Sequence, residues 1–150
     1  MEIPGKVRDI LRIKGREVLT TTTDCSVYDA IRLMGERDIG ALIVVEDGAV
    51  VGVLSERDYS RKVVLRGRTS RDTRVGEILI RPATTVTENE TVEECMRLMT
   101  SGRLRHLPVI NENGALDGVV SIGDLVNWMI SSQRETIDQL HNYISGRYPA

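Results

Sequence analysis

The sequence contains no phenylalanine and a single tryptophan, so its core must be built from Val, Ile, Leu and Met. Cysteine is scarce too. Cys25 and Cys95 form no C-x-x-C and share no ligand spacing with His106 or His141, which argues against a structural zinc site or a disulfide framework. No apolar run approaches membrane-spanning length, and the opening MEIPGKVRDILRIKGRE has no continuous apolar h-region. A reduced, cytoplasmic protein without membrane contact is the expectation. An excess of one charge is also missing. With a net charge of -2 and a pI near 5.7, the chain is a poor candidate for coating nucleic acid by bulk electrostatics. Nothing resembles a nucleophile–base pair, a metal cluster or a Walker loop, so no catalysis and no catalytic cofactor are expected.

What the chain does contain is repetition. Its 150 residues, 41% hydrophobic and 28% charged, suffice for one compact domain or two small halves sharing a core. GVLSERD (52–58) returns 66 residues later as GVVSIGD (118–124). A single G-x-x-S-x-x-D has a plain explanation: a capping-box variant with Ser at the N-cap and Asp at N3. Two copies in register need more. Arg32-Leu33-Met34 returns as Arg97-Leu98-Met99, and Leu42 and Val44 return as Leu107 and Val109, all at an offset of 65. The offset becomes 66 where NENG (111–114) replaces EDG (46–48), a one-residue insertion in a glycine turn that a duplicated fold tolerates.

Each copy reads as β-α-β-β-α. In the first, Thr20–Thr23 is strand-like, and Asp24-Cys25-Ser26 opens a helix carrying Val27, Ala30, Ile31, Leu33 and Met34 on one face. Ala41–Val45, the turn Asp47-Gly48 and Val50–Leu54 form a hairpin; Ser55 then starts a helix to about Leu65. The second copy predicts a strand over Thr84–Thr87, a helix from about Thr91 to Thr100, strands His106–Ile110 and Leu116–Val120, and a helix from Ser121. Residues 66–76 read as a linker. One such unit buries too little surface alone, so the two are expected to interlock about a pseudo-two-fold axis in an α/β (α+β) module. The chain divides into repeat one over 7–66, repeat two over 75–132 and a C-terminal helical extension over 133–150.

Paired units of this kind, each ending in G-h-x-S-x-x-D, resemble a tandem cystathionine β-synthase (CBS) domain pair, or Bateman module, of the stand-alone prokaryotic type. SERDYSRK (55–62), RHLPVI (105–110) and VSIGD (120–124) carry the likeness, which covers about residues 7–132. The resemblance implies a regulatory ligand with an adenosine moiety (AMP, ADP, ATP, NAD or S-adenosylmethionine), bound between the Asp helix of one repeat and the early strands of the other. It assigns Asp58 and Asp124 the ribose hydroxyls. It also implies a target regulated in trans and a face-to-face homodimer.

The chemistry of these positions fits. A helix start attracts phosphate, Gly52 and Gly118 admit close approach, and an ionised Asp accepts from both ribose hydroxyls. If the crossing holds, Arg105 and His106 face Asp58, and one cleft collects nearly all the cations. The expected phosphate site is Ser55, Arg57, Asp58, Arg105 and His106, with Arg61 contributing and adenine resting near Ile78, Pro82, Ala83, Thr84 and Leu104. Arg57 at N2 is an unfavourable cation unless an anion is near, whereas Lys62 reads as a solvated helix face. The mirror cleft sets Ser121 and Asp124 against Val18, Leu19 and Ile39, and is expected to be empty or to prefer a less phosphorylated ligand. Cys95 reads as core.

Two alternatives remain open. Residues 57–74 hold seven Arg or Lys against two Asp, a stripe able to contact nucleic-acid phosphates, though without interleaved aromatics. The tail, with Ile137, Leu140 and Ile144 on one stripe and Tyr143 and Tyr148 nearby, either folds back on the module or forms a dimer contact.

Overall fold

The structure, a computed structural model, describes residues 2–79 and 81–144. Both copies fold as read except at the first strand of repeat two. The first comprises β1 (Thr20–Thr22), α2 (Val27–Arg37), β2 (Ala41–Glu46), β3 (Ala49–Ser55) and α3 (Glu56–Tyr59), which continues as a π-helical turn over Ser60–Val64. The second comprises α4 (Val92–Gly102), β4 (His106–Ile110), β5 (Leu116–Ser121) and α5 (Ile122–Ile144). Local signals explain the boundaries. Ser26 caps α2 by accepting the Asp29 N–H at 3.1 Å, and Thr91 caps α4 by accepting that of Glu94 at 3.1 Å. Asp47 and Gly48 both take positive φ, 51° and 81°, which is the two-residue turn that a twisted hairpin requires. The strand pairs even carry a bulge at the same place, Val44/Val45 and Val109/Ile110.

One expected strand is missing. In repeat one, β1 pairs in parallel with β2 over three residues, and the Ile43 N–H donates to the Leu19 carbonyl at 3.4 Å. In repeat two, Thr84–Thr87 reduces to a single bridge between Val86 and Val109. The cause is Pro108, which stands where Ile43 stands and has no N–H to donate. The equivalent bond to the Thr84 carbonyl cannot form.

The sequence reading also passed over the element that locks the halves together. Helix α1 (Val7–Lys14) precedes the first repeat, and a 3-10 turn (Val75–Glu77) precedes the second. VRDIL (7–11) and VGEIL (75–79) are the same phrase, and they change places. Val7, Ile10 and Leu11 are buried among Val92, Cys95, Met99, Leu107 and Leu125 of repeat two. Val75, Ile78 and Leu79 are buried among Val27, Met34, Leu42, Leu54 and Val63 of repeat one. Matching bridges, Lys6 with Thr91 and Arg74 with Ser26, bring each phrase in. Ala49 forms an antiparallel bridge with its own counterpart Ala115, so the pseudo-two-fold axis passes between them.

Helix α5 is continuous to Ile144, so the boundary expected at 132/133 falls inside it. Leu125 is buried and the Trp128 indole donates to the Pro4 carbonyl at 2.7 Å. From 133 to 142, however, every residue is exposed, so this stretch does not fold back on the module. Tyr148 and the Tyr143 side chain lie outside the described residues. Among the described residues no helix is long and apolar enough to cross a membrane.

Candidate functional site

Each G-x-x-S-x-x-D phrase closes on itself in the same way. The Asp58 Oδ2 accepts the Ser55 N–H at 2.9 Å and its hydroxyl at 3.0 Å, while the Ser55 Oγ accepts the Asp58 N–H at 3.2 Å. Ser121 and Asp124 repeat the reciprocal pair at 2.8 and 3.2 Å. The plain capping explanation is thus true of both copies. In the first, it fixes the carboxylate through one oxygen and leaves Oδ1, 3.6 Å from the Lys62 ammonium, aimed elsewhere.

Ser55, Arg57 and Asp58 line a cleft of about 400 Å³ together with Pro82, Ala83, Thr84, Leu104, Arg105 and His106. That volume lies within the range of small-molecule sites, about 300–1,000 Å³. The crossing between repeats therefore brings the expected cations and apolar wall to one acid. Within each repeat a matching backbone bond fixes the acid helix: the Glu56 N–H donates to the Gly40 carbonyl at 3.0 Å and the Ile122 N–H to the Arg105 carbonyl at 2.9 Å. Each acid helix thereby hangs from the residue that leads into the first hairpin strand, β2 or β4, of its own repeat. Gly40 and Arg105, the two residues so used, both line the cleft.

Three expectations need correction. Ile78 is not a cleft residue; it is 2% exposed in the repeat-one core, as a member of VGEIL. Arg61 is exposed on the π-helical turn and stands outside the cleft. Lys62 is no solvated face, because its ammonium donates to the Ile78 carbonyl at 2.8 Å. Arg103, which the sequence reading missed, also lines the cleft. It ends α4 in the left-handed region (φ 54°), where Asp38 ends α2 (φ 53°). The repeat alignment carried this signal as a charge reversal at position 38/103. Charge-assisted attraction for an anion in the cleft is available from Arg57, Arg103 and Arg105.

The second cleft, about 540 Å³, is lined by Val18, Leu19, Ile39 and Ser121 as expected, but also by Lys14, Arg37 and His106. It is not poor in cations. Asp124 stands outside its lining and is gripped instead by Lys14, whose ammonium lies 2.6 Å from Oδ2 and 2.8 Å from the Val119 carbonyl. Burial acts to raise the Asp124 carboxyl, yet the hydrogen bonds from Lys14 and Ser121 hold it below the ordinary range.

His106 belongs to both clefts. Burial first, then the charges of Lys14 and Arg105, lower its pKa against the opposing pull of Asp124. Between the unfolded and folded values the unfolded chain binds more protons, so stability is lost as pH falls below about 6.5. His106→Gln is expected to flatten that part of the melting-temperature profile; an unchanged profile would contradict it. Cys95 is core, and burial pushes its thiol up to about 12. Among the described residues no cluster of His, Cys, Asp and Glu could hold a metal ion.

Two repeats of one fold, each plugged by the other's leading phrase, with a cleft between them lined by Asp58, define a tandem-repeat module. The CBS domain family matches residues 7–64 and 75–131, and the chain belongs to that family. It is 41% identical over 151 residues, covering 95% of this chain and 73% of the other, to the mitochondrial CBS domain-containing protein CBSX3 of Arabidopsis thaliana. A solved protein with CBS domains from Burkholderia ambifaria superposes with a TM-score of 0.81 at 47% identity, covering 85% of this chain and 96% of that one. A CBS domain pair solved with 5′-methylthioadenosine and S-adenosyl-L-methionine superposes at 0.76 over 86% of this chain and 99% of that one. At 22% identity that last likeness speaks to the fold alone.

Proposed function

We propose that this chain is a non-catalytic regulatory module that senses an adenine nucleotide in the Asp58 cleft and passes the signal to a protein partner in trans. The observation that carries the reading is the composition of that cleft: one buried carboxylate with Arg57, Arg103, Arg105 and His106 around it and Pro82, Ala83 and Leu104 as an apolar wall. Asp58 accepts the ribose hydroxyls, the arginines take phosphate, and the wall takes the base. The Thr84 carbonyl, which Pro108 cannot engage, is an acceptor matched to the exocyclic amine of adenine. A solved CBS pair of the same fold holds two adenosine compounds, the ligand class proposed here. A ligand touching both repeats favours one relative orientation of the halves, with a coupling on the usual scale of about 1–3 kcal/mol. The cytoplasm is the proposed location, where both thiols stay free. A second copy is proposed to pair through α5, where Ile130, Ile137, Leu140 and Ile144 are exposed along one stripe.

The test is a thermal-shift screen of AMP, ADP, ATP, NAD and S-adenosylmethionine with GTP as control. A ligand at a hundred times its Kd adds about 2.7 kcal/mol, which for a chain of this size raises Tm by roughly 5–10 °C. No shift with any adenine compound, or an equal shift with GTP, would overturn the reading. Nucleic-acid binding through 57–74 has less support, because four of those seven cations are engaged within the fold. Lys62 donates to the Ile78 carbonyl, Arg68 pairs with Glu77 at 2.7 Å, Arg71 stacks 3.9 Å over the Tyr28 ring, and Arg74 faces Asp24 at 3.6 Å.

A further inference from the structure

The two acids of the module are equivalent in sequence and unequal in surroundings. Asp58 keeps its nearest cation, Lys62, at 3.6 Å, beyond hydrogen-bond reach, and that cation is committed to the Ile78 carbonyl. Asp124 has Lys14 in direct contact at 2.6 Å, and the same ammonium also binds the Val119 carbonyl on β5. Lys14 is the last residue of α1, the helix that enters repeat two from outside, and Gly15 follows it with φ 96°. A residue with a side chain is strained at that angle, so the turn that delivers Lys14 to the acid depends on glycine. The second cleft therefore contains a cation of its own, and that cation stands between the cleft and Asp124, which lies outside the lining. The first receives Pro82, Ala83 and Thr84 from the corresponding segment, none of which is charged.

We propose that Lys14 is a resident occupant of the second site: it holds the Asp124 carboxylate that would grip a ribose, and so limits the module to one adenine nucleotide per chain, in the Asp58 cleft. This rests on the ligand class proposed above and adds what selects between the clefts. A ribose approaching Asp124 meets the Lys14 ammonium on Oδ2, the oxygen that also accepts the Ser121 N–H, whereas the Asp58 cap holds no cation and Lys62 stays 3.6 Å from Oδ1. The groups that share a lining or an ion pair with Lys14 are Asp124 and Glu135 on α5, Glu17 on its own segment, Arg37 at the end of α2 and His106 on β4. Of the three acids, Asp124 is the one in contact with its ammonium.

Calorimetry with AMP, ATP and NAD in turn tests this on the full chain. Wild type is expected to bind one equivalent. Lys14→Met is expected to add a second equivalent, at least tenfold tighter than any second-site binding by wild type, and Asp124→Asn in the same background is expected to remove it. Lys14→Arg should stay at one. Two equivalents in wild type, or one in Lys14→Met, would overturn the proposal while leaving the Asp58 cleft as the site. If none of the three nucleotides binds wild type, the Asp58 reading and the limit of one equivalent are both overturned; binding by Lys14→Met alone would then support only the part of the proposal in which Lys14 blocks Asp124, and binding by neither would overturn that part too. An independent readout needs no nucleotide. Lys14 lowers the pKa of His106 through its charge, so the His106 imidazole titration followed by NMR should move upward in Lys14→Met. A midpoint unchanged from wild type would place the ammonium elsewhere and overturn the proposal.

Discussion

Asp58→Ala is expected to abolish the strongest nucleotide-induced thermal shift, and Asp124→Ala to leave most of it intact. Two ribose hydroxyls bound by an ionised carboxylate contribute roughly 1.5–3 kcal/mol each, so losing both weakens binding by more than about a hundredfold. Asp124 has already committed an oxygen to Lys14 and Ser121; removing it frees a lysine and disturbs a cap without touching the Asp58 cleft. Both substitutions break an equivalent capping box, at a cost of about 1 kcal/mol, so the two variants control for one another in stability. Asp58→Asn keeps the shape of the cap and removes the charge, and should bind nearly as poorly as Asp58→Ala. Equal losses at Asp58 and Asp124, measured as Kd, would refute the inequality of the two clefts.

Leu11→Ala is expected to be the most damaging substitution outside the clefts. Leu11 is 2% exposed among repeat-two residues, and its methyl groups reach Gly118 so closely that a Cβ there would lie 3.0 Å from one of them. Truncating a leucine so enclosed costs about 2–5 kcal/mol. Ile13, two residues on and 80% exposed, should cost less than about 0.5 kcal/mol when cut to Ala. Urea denaturation distinguishes them by midpoint. If Leu11→Ala behaved like Ile13→Ala, α1 would not be part of the repeat-two core. The unfolding should also stay a single transition, because the substitution sits before repeat one and acts in repeat two.

Periodicity and turn chemistry made most of the fold legible, since each repeat writes its helix faces, Ser and Thr caps and glycine turns in local sequence. The crossing that joins Asp58 to Arg105 and His106 was legible only through family resemblance, because no local pattern says which half a side chain will face. Two things escaped for physical reasons. VRDIL and VGEIL are short and precede the repeats at an offset of 68 rather than 65, so an alignment anchored on Val27 and Val92 slides past them. Ile78 was misplaced for that reason, and Lys14 was never set against Asp124. Pro108 reads as an ordinary member of an apolar strand; its missing N–H matters only once its counterpart Ile43 is seen donating to Leu19.

The exchange of those five-residue phrases means that the molecule has no seam along which it can be divided. Cutting the chain between residues 66 and 74 would give one piece holding the plug for a hydrophobic interior it does not possess, and another in the same position. Neither piece should fold by itself, yet the two, mixed, should find each other and rebuild the whole.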